Sequence, residues 1–128
     1  MFVKINEKEY ELSTKLGTAM LIEKKFKIPV KDIFEKLSIA TTEELIAMVE
    51  IAAKQADKTV DIATELINNY DYLDLFILVQ ELVVKIMFAG TAEQNEAKLS
   101  KLKFDEEAKN AIRELLGLPI AEDSTGTA

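Results

Sequence analysis

The sequence has no cysteine, no histidine and no tryptophan among its 128 residues. Without cysteine the chain can form no disulfide, no thiolate nucleophile and no zinc-finger site. Without histidine it lacks the imidazole on which most hydrolases and metalloenzymes depend. Glycine (4) and proline (2) are scarce as well, which is typical of a folded, mostly helical chain. These absences remove several large classes of enzyme before any motif is examined.

Apolar and charged residues make up most of what is present, at 48% and 30% of the chain. The length suits about one domain. The net charge of -7 is uneven: residues 1–64 hold ten basic and eleven acidic groups, whereas residues 65–128 hold six and twelve. This acidity disfavours a general nucleic-acid binder, because phosphate contacts need clustered lysine and arginine. The first residues show no apolar signal segment, so we expect a soluble, cytoplasmic protein without a membrane span.

Hydrophobic periodicity predicts the order of the secondary-structure elements. Alternation over residues 2–12 predicts a β-hairpin with its turn at 6–8, and its buried face is expected to comprise Val3, Ile5, Tyr10 and Leu12. Apolar spacing then predicts helices over about 14–25, 29–37, 42–56, 59–68, 72–89 and 105–116. The fold class is therefore mainly α, an N-terminal β-hairpin followed by a compact bundle of about five to six helices.

Local signals mark the ends of several of these helices. Thr41 and Glu44 fit a capping box, Asp71 is placed to cap the longest helix, and Gly117 to end the last one. The first helix is expected to be capped by Ser13 or Thr14. Its buried side is expected to comprise Leu16, Ala19, Met20, Ile22 and Phe26.

The same signals suggest a division of the chain. Residues 1–90 are expected to form the hairpin and helical core. Residues 91–117 would comprise a linker or weakly formed helix followed by a C-terminal helix, and residues 118–128 a disordered tail.

The longest helix carries the strongest candidate for a binding surface. It is apolar almost all round, apart from a seam of Asp74, Glu81 and Lys85. A helix of this kind is either central to a bundle or covered by a partner. Two interpretations stay open: an exposed partner-binding surface, or a face covered by the hairpin or the last helix. The residues of the first interpretation are Ile77, Glu81, Val84 and Phe88.

The carboxylates are the only abundant acid–base groups. Asp71 and Asp74 fall on one helical turn, and Asp57, Asp61 and Glu65 follow each other at a spacing of four. Helix capping and a solvated helix face explain both sets better than catalysis or cation binding. Phosphate-binding glycine loops and nucleophile elbows are absent from the sequence. We therefore expect no enzymatic activity, no catalytic residues, no metal and no cofactor.

A lysine-rich segment offers an alternative function. The lysines surround Phe26 and Phe34, an arrangement that single-strand binders use, but acidic residues are interspersed and both rings fall on the apolar face. A helix face with a lysine rim is the simpler interpretation. The lysines concerned are Lys24, Lys25, Lys27, Lys31 and Lys36.

The order of elements resembles the tail assembly chaperones of long-tailed bacteriophages and prophages. The likeness rests on the hairpin Val3–Leu12, on Gly17, Ala19 and Leu21-Ile22-Glu23-Lys24 of the first helix, on Ile33–Ser38 and on Thr42–Ile46. It covers residues 2 to about 56 in motif and to about 90 in element order, so the helix 105–116 lies outside it.

The resemblance implies a non-enzymatic protein that coats the long, helical tape-measure protein before the tail tube polymerises around it. It implies binding to the tape-measure protein or the major tail protein, a place in the bacterial host cytoplasm rather than the mature virion, and a longer frameshifted form in many such phages. Self-association and a helical interaction or regulatory adaptor role are left open. So is weak nucleic-acid association through the lysine segment.

Overall fold

A tight β-hairpin opens the fold in the computed structural model, which describes residues 1–120. Strands β1 (Phe2–Ile5) and β2 (Lys8–Glu11) pair antiparallel, with Val3 opposite Tyr10. Asn6 and Glu7 alone form the turn, both with positive φ (51° and 66°), which is the geometry of a two-residue type I′ turn. The predicted turn was one residue too long, because Lys8 already belongs to β2. Ile5, Tyr10 and Leu12 are buried, as predicted, whereas the fourth residue of the predicted face, Val3, is only partly buried.

Seven α-helices follow within the described residues, so the prediction of a mainly α fold with an N-terminal hairpin is confirmed. A short 3-10 turn, Leu37–Ile39, connects the second and third helices. The helices are α1 (Leu16–Phe26), α2 (Val30–Lys36), α3 (Thr42–Ala56), α4 (Ala63–Asn69), α5 (Tyr72–Met87), α6 (Ala92–Ser100) and α7 (Glu106–Leu116).

The chain divides into two compact units, and the first ends at Met87. In this unit α5 packs against α1, α2 and α3, while α3 also contacts α4 and strand β2. The buried face of α3 includes Leu45, Met48, Val49 and Ala52, which follow the helical spacing i, i+3, i+4 and i+7. The inward face of α5 supplies Leu75, Leu78, Val79, Leu82, Val83 and Ile86. Helix α5 therefore carries the largest share of this core, as its sequence predicts.

Caps fix where these helices begin. Thr41 and Glu44 form both hydrogen bonds of the capping box, and Asp71 Oδ1 accepts from the backbone N–H of Asp74 at 2.8 Å. The backbone N–H of Val30, at the start of α2, donates to the Glu23 carboxylate of α1 at 2.9 Å. Such bonds satisfy amide groups that a helix start leaves unpaired.

Helix α1 departs from its prediction. It begins after Lys15 with no side-chain cap, so Ser13 and Thr14 do not cap it. Leu16 and Met20, predicted to be buried, are exposed. Ala19 and Ile22 are buried as predicted, and Thr18, which was not predicted to be buried, is buried beside them.

The second unit begins at Phe88 and contains α6 and α7. Residues 92–100 are helical, so the first part of the predicted linker is a helix, with a capping box of Thr91 and Gln94 at its start. Asn95 is buried and bonds both the N–H and the C=O of Gly90, at 3.1 Å each.

An ion pair joins the two helices of this unit. The Arg113 guanidinium donates to both carboxylate oxygens of Glu96, at 2.9 and 3.1 Å. Helix α7 ends at Gly117 (φ 72°), and the N–H of Leu118 donates to the Arg113 C=O at 2.8 Å. The N–H of Gly117 also donates to the Glu114 C=O at 3.2 Å, and these two backbone bonds form a Schellman motif. Leu118 is buried although the predicted tail began there; residues 121–128 of that tail lie outside the described residues.

No single helix among residues 1–120 is long and apolar enough to cross a membrane.

Candidate functional site

The four residues of the predicted partner-binding surface have different surroundings. Ile77 is 47% exposed, whereas Val84 is fully buried and Phe88 is 5% exposed. The Glu81 side chain is 37% exposed. Val84 and Phe88 are therefore unavailable to a partner in this conformation, and the interpretation of them as an exposed surface is corrected. Ile77 and Glu81 remain at the surface.

Exposed apolar side chains cover the first half of α5 around Ile77. Leu73 is 62% exposed and Tyr72 is 49% exposed. Phe76 is partly buried, and its ring stacks on that of Tyr72 with centroids 6.2 Å apart. Leu73 and Ile77, like Tyr72 and Phe76, are four residues apart and thus neighbours on the helix surface. We name the surface of Tyr72, Leu73, Phe76 and Ile77 the α5 strip.

Acidic side chains line one edge of the α5 strip. Asp74 lies three residues before Ile77 and Glu81 four residues after it, so both are its neighbours on the helix. We name Asp74 and Glu81 the acidic edge. Glu81 also pairs with Lys85 at 3.0 Å. The negative charge of Asp74 acts on Tyr70: burial, and then Asp74, raise the pKa of the Tyr70 phenol.

The wider segment around the strip is acidic as well. Between Lys58 and Lys85 the chain has no basic residue. The acidic residues of this interval are Asp61, Glu65, Asp71, Asp74 and Glu81. The most exposed apolar face of α5 thus lies in a segment whose charged residues are all acidic.

The other carboxylates singled out from the sequence have local structural roles. Asp57 Oδ1 accepts hydrogen bonds from the backbone N–H and the hydroxyl of Thr59, which lower the pKa of the Asp57 carboxyl. Asp61 accepts from the hydroxyl of Thr64 at 3.1 Å. Within residues 1–120 no group of three or more acidic residues is arranged to hold a metal ion.

In the lysine segment the charged side chains are exposed, but the aromatic rings are not fully exposed. Lys24, Lys25, Lys27 and Lys31 are exposed, whereas Phe26 and Phe34 are partly buried against the core. Stacking of bases on aromatic rings supplies much of the affinity of single-strand binders. The rings needed for that contact are therefore turned inward.

Two further surfaces of the first unit are apolar. One is an open groove of about 280 Å³ lined by Phe26, Ile28, Leu37, Ile39 and Met48, together with polar side chains. Its volume is just below the usual range of ligand pockets, and the Glu44 carboxylate at the groove is engaged in the α3 capping box. The other surface comprises Leu16 and Met20 on α1. The α5 strip differs from both in its stacked aromatic pair and its acidic edge.

Comparisons with known proteins add no assignment to these surfaces. No family model matches the chain, and no curated protein or solved structure matches it significantly. The α5 strip and the sequence resemblance are thus the two observations that bear on function.

Proposed function

We propose that this chain is a non-enzymatic tail assembly chaperone of a long-tailed bacteriophage or prophage. In this role it binds the tape-measure protein, or the major tail protein, during tail morphogenesis. It acts in the cytoplasm of the bacterial host and is absent from the mature virion. The proposal joins the sequence resemblance to one structural observation, the α5 strip.

The α5 strip supports a role in binding protein because its composition is that of an interface. Large apolar side chains exposed together, with a polar rim, mark interaction sites on soluble proteins. Aromatic residues are enriched at the centres of such sites. Tyr72 and Phe76 supply a stacked aromatic pair, and Leu73 and Ile77 extend it along the helix axis.

The form of the strip also suits a helical partner. An amphipathic helix binds through side chains that recur every three or four residues. The strip presents the same spacing, because Tyr72 and Phe76, and likewise Leu73 and Ile77, are four positions apart on α5. A long rod with an apolar stripe needs its stripe covered until it assembles, and a chaperone with such a strip covers it.

Co-expression with the tape-measure protein of the same phage or prophage tests the proposal. We expect the chain to increase the soluble fraction of that protein and to co-purify with it. The variant Leu73→Ser/Ile77→Ser should lose both effects. The control Leu16→Ser/Met20→Ser, which also removes two exposed apolar side chains, should retain them.

Three outcomes count against the proposal. A tape-measure protein that is equally insoluble with and without the chain contradicts the function itself. Equal loss in both double variants, or no loss in either, contradicts the assignment to the α5 strip. A circular-dichroism melt of each variant checks that the chain is still folded.

A further inference from the structure

The two long edges of the α5 strip are chemically different. Asp74 and Glu81 flank Ile77 on one edge, whereas the aromatic edge adjoins the core, against which Phe76 packs. An occupant of the strip therefore meets negative charge on one side only. A symmetric apolar stripe on the occupant offers neither carboxylate a positive charge.

The charge of the acidic edge is only partly compensated by the protein. Lys85 pairs with Glu81, while Asp74 has no ion pair within 4.0 Å among the described residues. Its backbone N–H, not its carboxylate, is engaged by Asp71. Burial first, and then the negative charge of Asp74, raise the pKa of the nearby Tyr70 phenol.

A basic occupant suits this field better than an acidic one. Opposite charges across an interface raise the association rate and fix the orientation of the partner, and like charges oppose binding. A second copy of this chain docked strip to strip would bring another segment with five carboxylates and no basic residue from 59 to 84. Charge complementarity thus opposes a strip-to-strip dimer and favours an occupant that brings basic groups.

We infer that the α5 strip binds an amphipathic helix whose apolar stripe carries lysine or arginine along the side that meets Asp74 and Glu81. This inference rests on the proposed function, in which the tape-measure protein supplies the helix. It adds the chemistry of the recognised segment: an apolar stripe with one basic flank. Segments with acidic flanks are rejected.

Two synthetic helical peptides of about 20 residues test the inference. Both carry leucine at the same heptad positions, and their flanking positions are lysine in one and glutamate in the other. Fluorescence anisotropy with the full chain measures their affinities. At about 0.1 M salt we expect the lysine peptide to bind at least tenfold more tightly. At about 1 M salt, where screening acts beyond about 3 Å, the preference should shrink severalfold.

Matched charge variants test whether Asp74 and Glu81 cause the preference for the lysine peptide. Asp74→Asn/Glu81→Gln should weaken binding of the lysine peptide about three- to tenfold at low salt and little at high salt. The control is Glu43→Gln/Glu50→Gln on α3. It removes two acidic groups with the same seven-residue spacing; Glu50, like Glu81, is 37% exposed and pairs with a lysine four residues later. This control should bind as the unaltered chain does.

The outcomes separate this inference from the proposed function. Equal affinity for the two peptides, or equal effects of the two double variants, overturns the inference. If the tape-measure protein binds the unaltered chain and Asp74→Asn/Glu81→Gln equally at low salt, the inference fails and the function stands. If the lysine peptide is preferred but the tape-measure protein does not bind, the function fails.

A second copy as occupant is tested by light scattering after size exclusion. A dimer of the unaltered chain that Leu73→Ser/Ile77→Ser converts to a monomer would overturn the inference, because the strip would then be a self-association surface. We expect the same mass for both proteins.

Discussion

Ile77 and Val84 lie seven residues apart on the same side of α5, and they differ mainly in burial. Ile77 is 47% exposed and Val84 is fully buried. Replacing each by lysine in separate proteins turns this difference into a difference in stability. Lysine is a good helix former, so the helix itself is little affected at either position.

The expected magnitudes follow from the exposures. Full burial of an isoleucine contributes about 1.5–3 kcal/mol, so Ile77→Lys loses about half of that, and the aliphatic stem of lysine recovers part of the loss. We expect a cost of about 1 kcal/mol. Val84→Lys places a longer side chain and an ammonium group in a site without solvent, so it costs on the order of 4 kcal/mol.

Thermal denaturation followed by circular dichroism measures the two effects. A cost of 1 kcal/mol lowers the Tm of a domain of this size by roughly 4 °C. Ile77→Lys should therefore melt a few degrees below the unaltered chain, while Val84→Lys should lose a large part of a total stability of about 5–15 kcal/mol. If Val84→Lys melted like Ile77→Lys, Val84 would be accessible in solution and the burial argued here would be refuted.

Three further predictions concern single side chains. Glu7→Gly should raise the free energy of unfolding by about 1 kcal/mol in urea titrations, because Glu7 has φ 66° and glycine adopts that conformation without strain; a loss of stability would contradict the type I′ turn. Thr18→Val should stabilise by about 1 kcal/mol in the same assay, because the buried Thr18 hydroxyl has no hydrogen-bond partner among the described residues; destabilisation would indicate a partner. The Arg113 guanidinium lowers the pKa of the Glu96 carboxyl through their hydrogen bonds. Glu96 is thus charged in the folded protein at neutral pH, and its stabilising contribution is lost as the pH falls below about 4.3. Glu96→Gln should flatten this part of the stability profile, and an unchanged profile would show that the pair contributes nothing.

Local signals in the sequence predict the elements whose determinants are local. The capping box of Thr41 and Glu44, the cap at Asp71 and the stop at Gly117 each depend on a few neighbouring residues, and each is present. Helix α6 was underestimated because its low apolar content concealed an equally local signal, the capping box of Thr91 and Gln94.

The orientation of α1 could not be predicted from periodicity because too many positions are apolar. A face through Leu16 and Met20 fits the helical spacing as well as one through Ala19 and Ile22. The structure selects the second and buries Thr18 with it. The packing of α1 against α2, α3 and α5 decides between the faces.

Periodicity also predicted the candidate site only in part, because it does not show which apolar face of a helix is covered. Periodicity places Ile77 and Val84 on one side of α5, but it carries no information on where that side is covered. Tyr72, Leu73 and Phe76 were missed as binding residues. A signal for them exists: the inward residues Leu75, Val79, Leu82 and Ile86 recur every three or four positions, and Leu73 and Ile77 fall opposite to them.

Binding of the tape-measure protein by the α5 strip is tested most directly by affinity. The affinity of the purified chain for that protein is compared with the affinities of the variants Leu73→Ser/Ile77→Ser and Leu16→Ser/Met20→Ser. We predict binding by the unaltered chain and the α1 variant, and at least a tenfold loss in the α5 variant with little change in Tm. Equal affinity of all three proteins, or no binding by the unaltered chain, would contradict the claim.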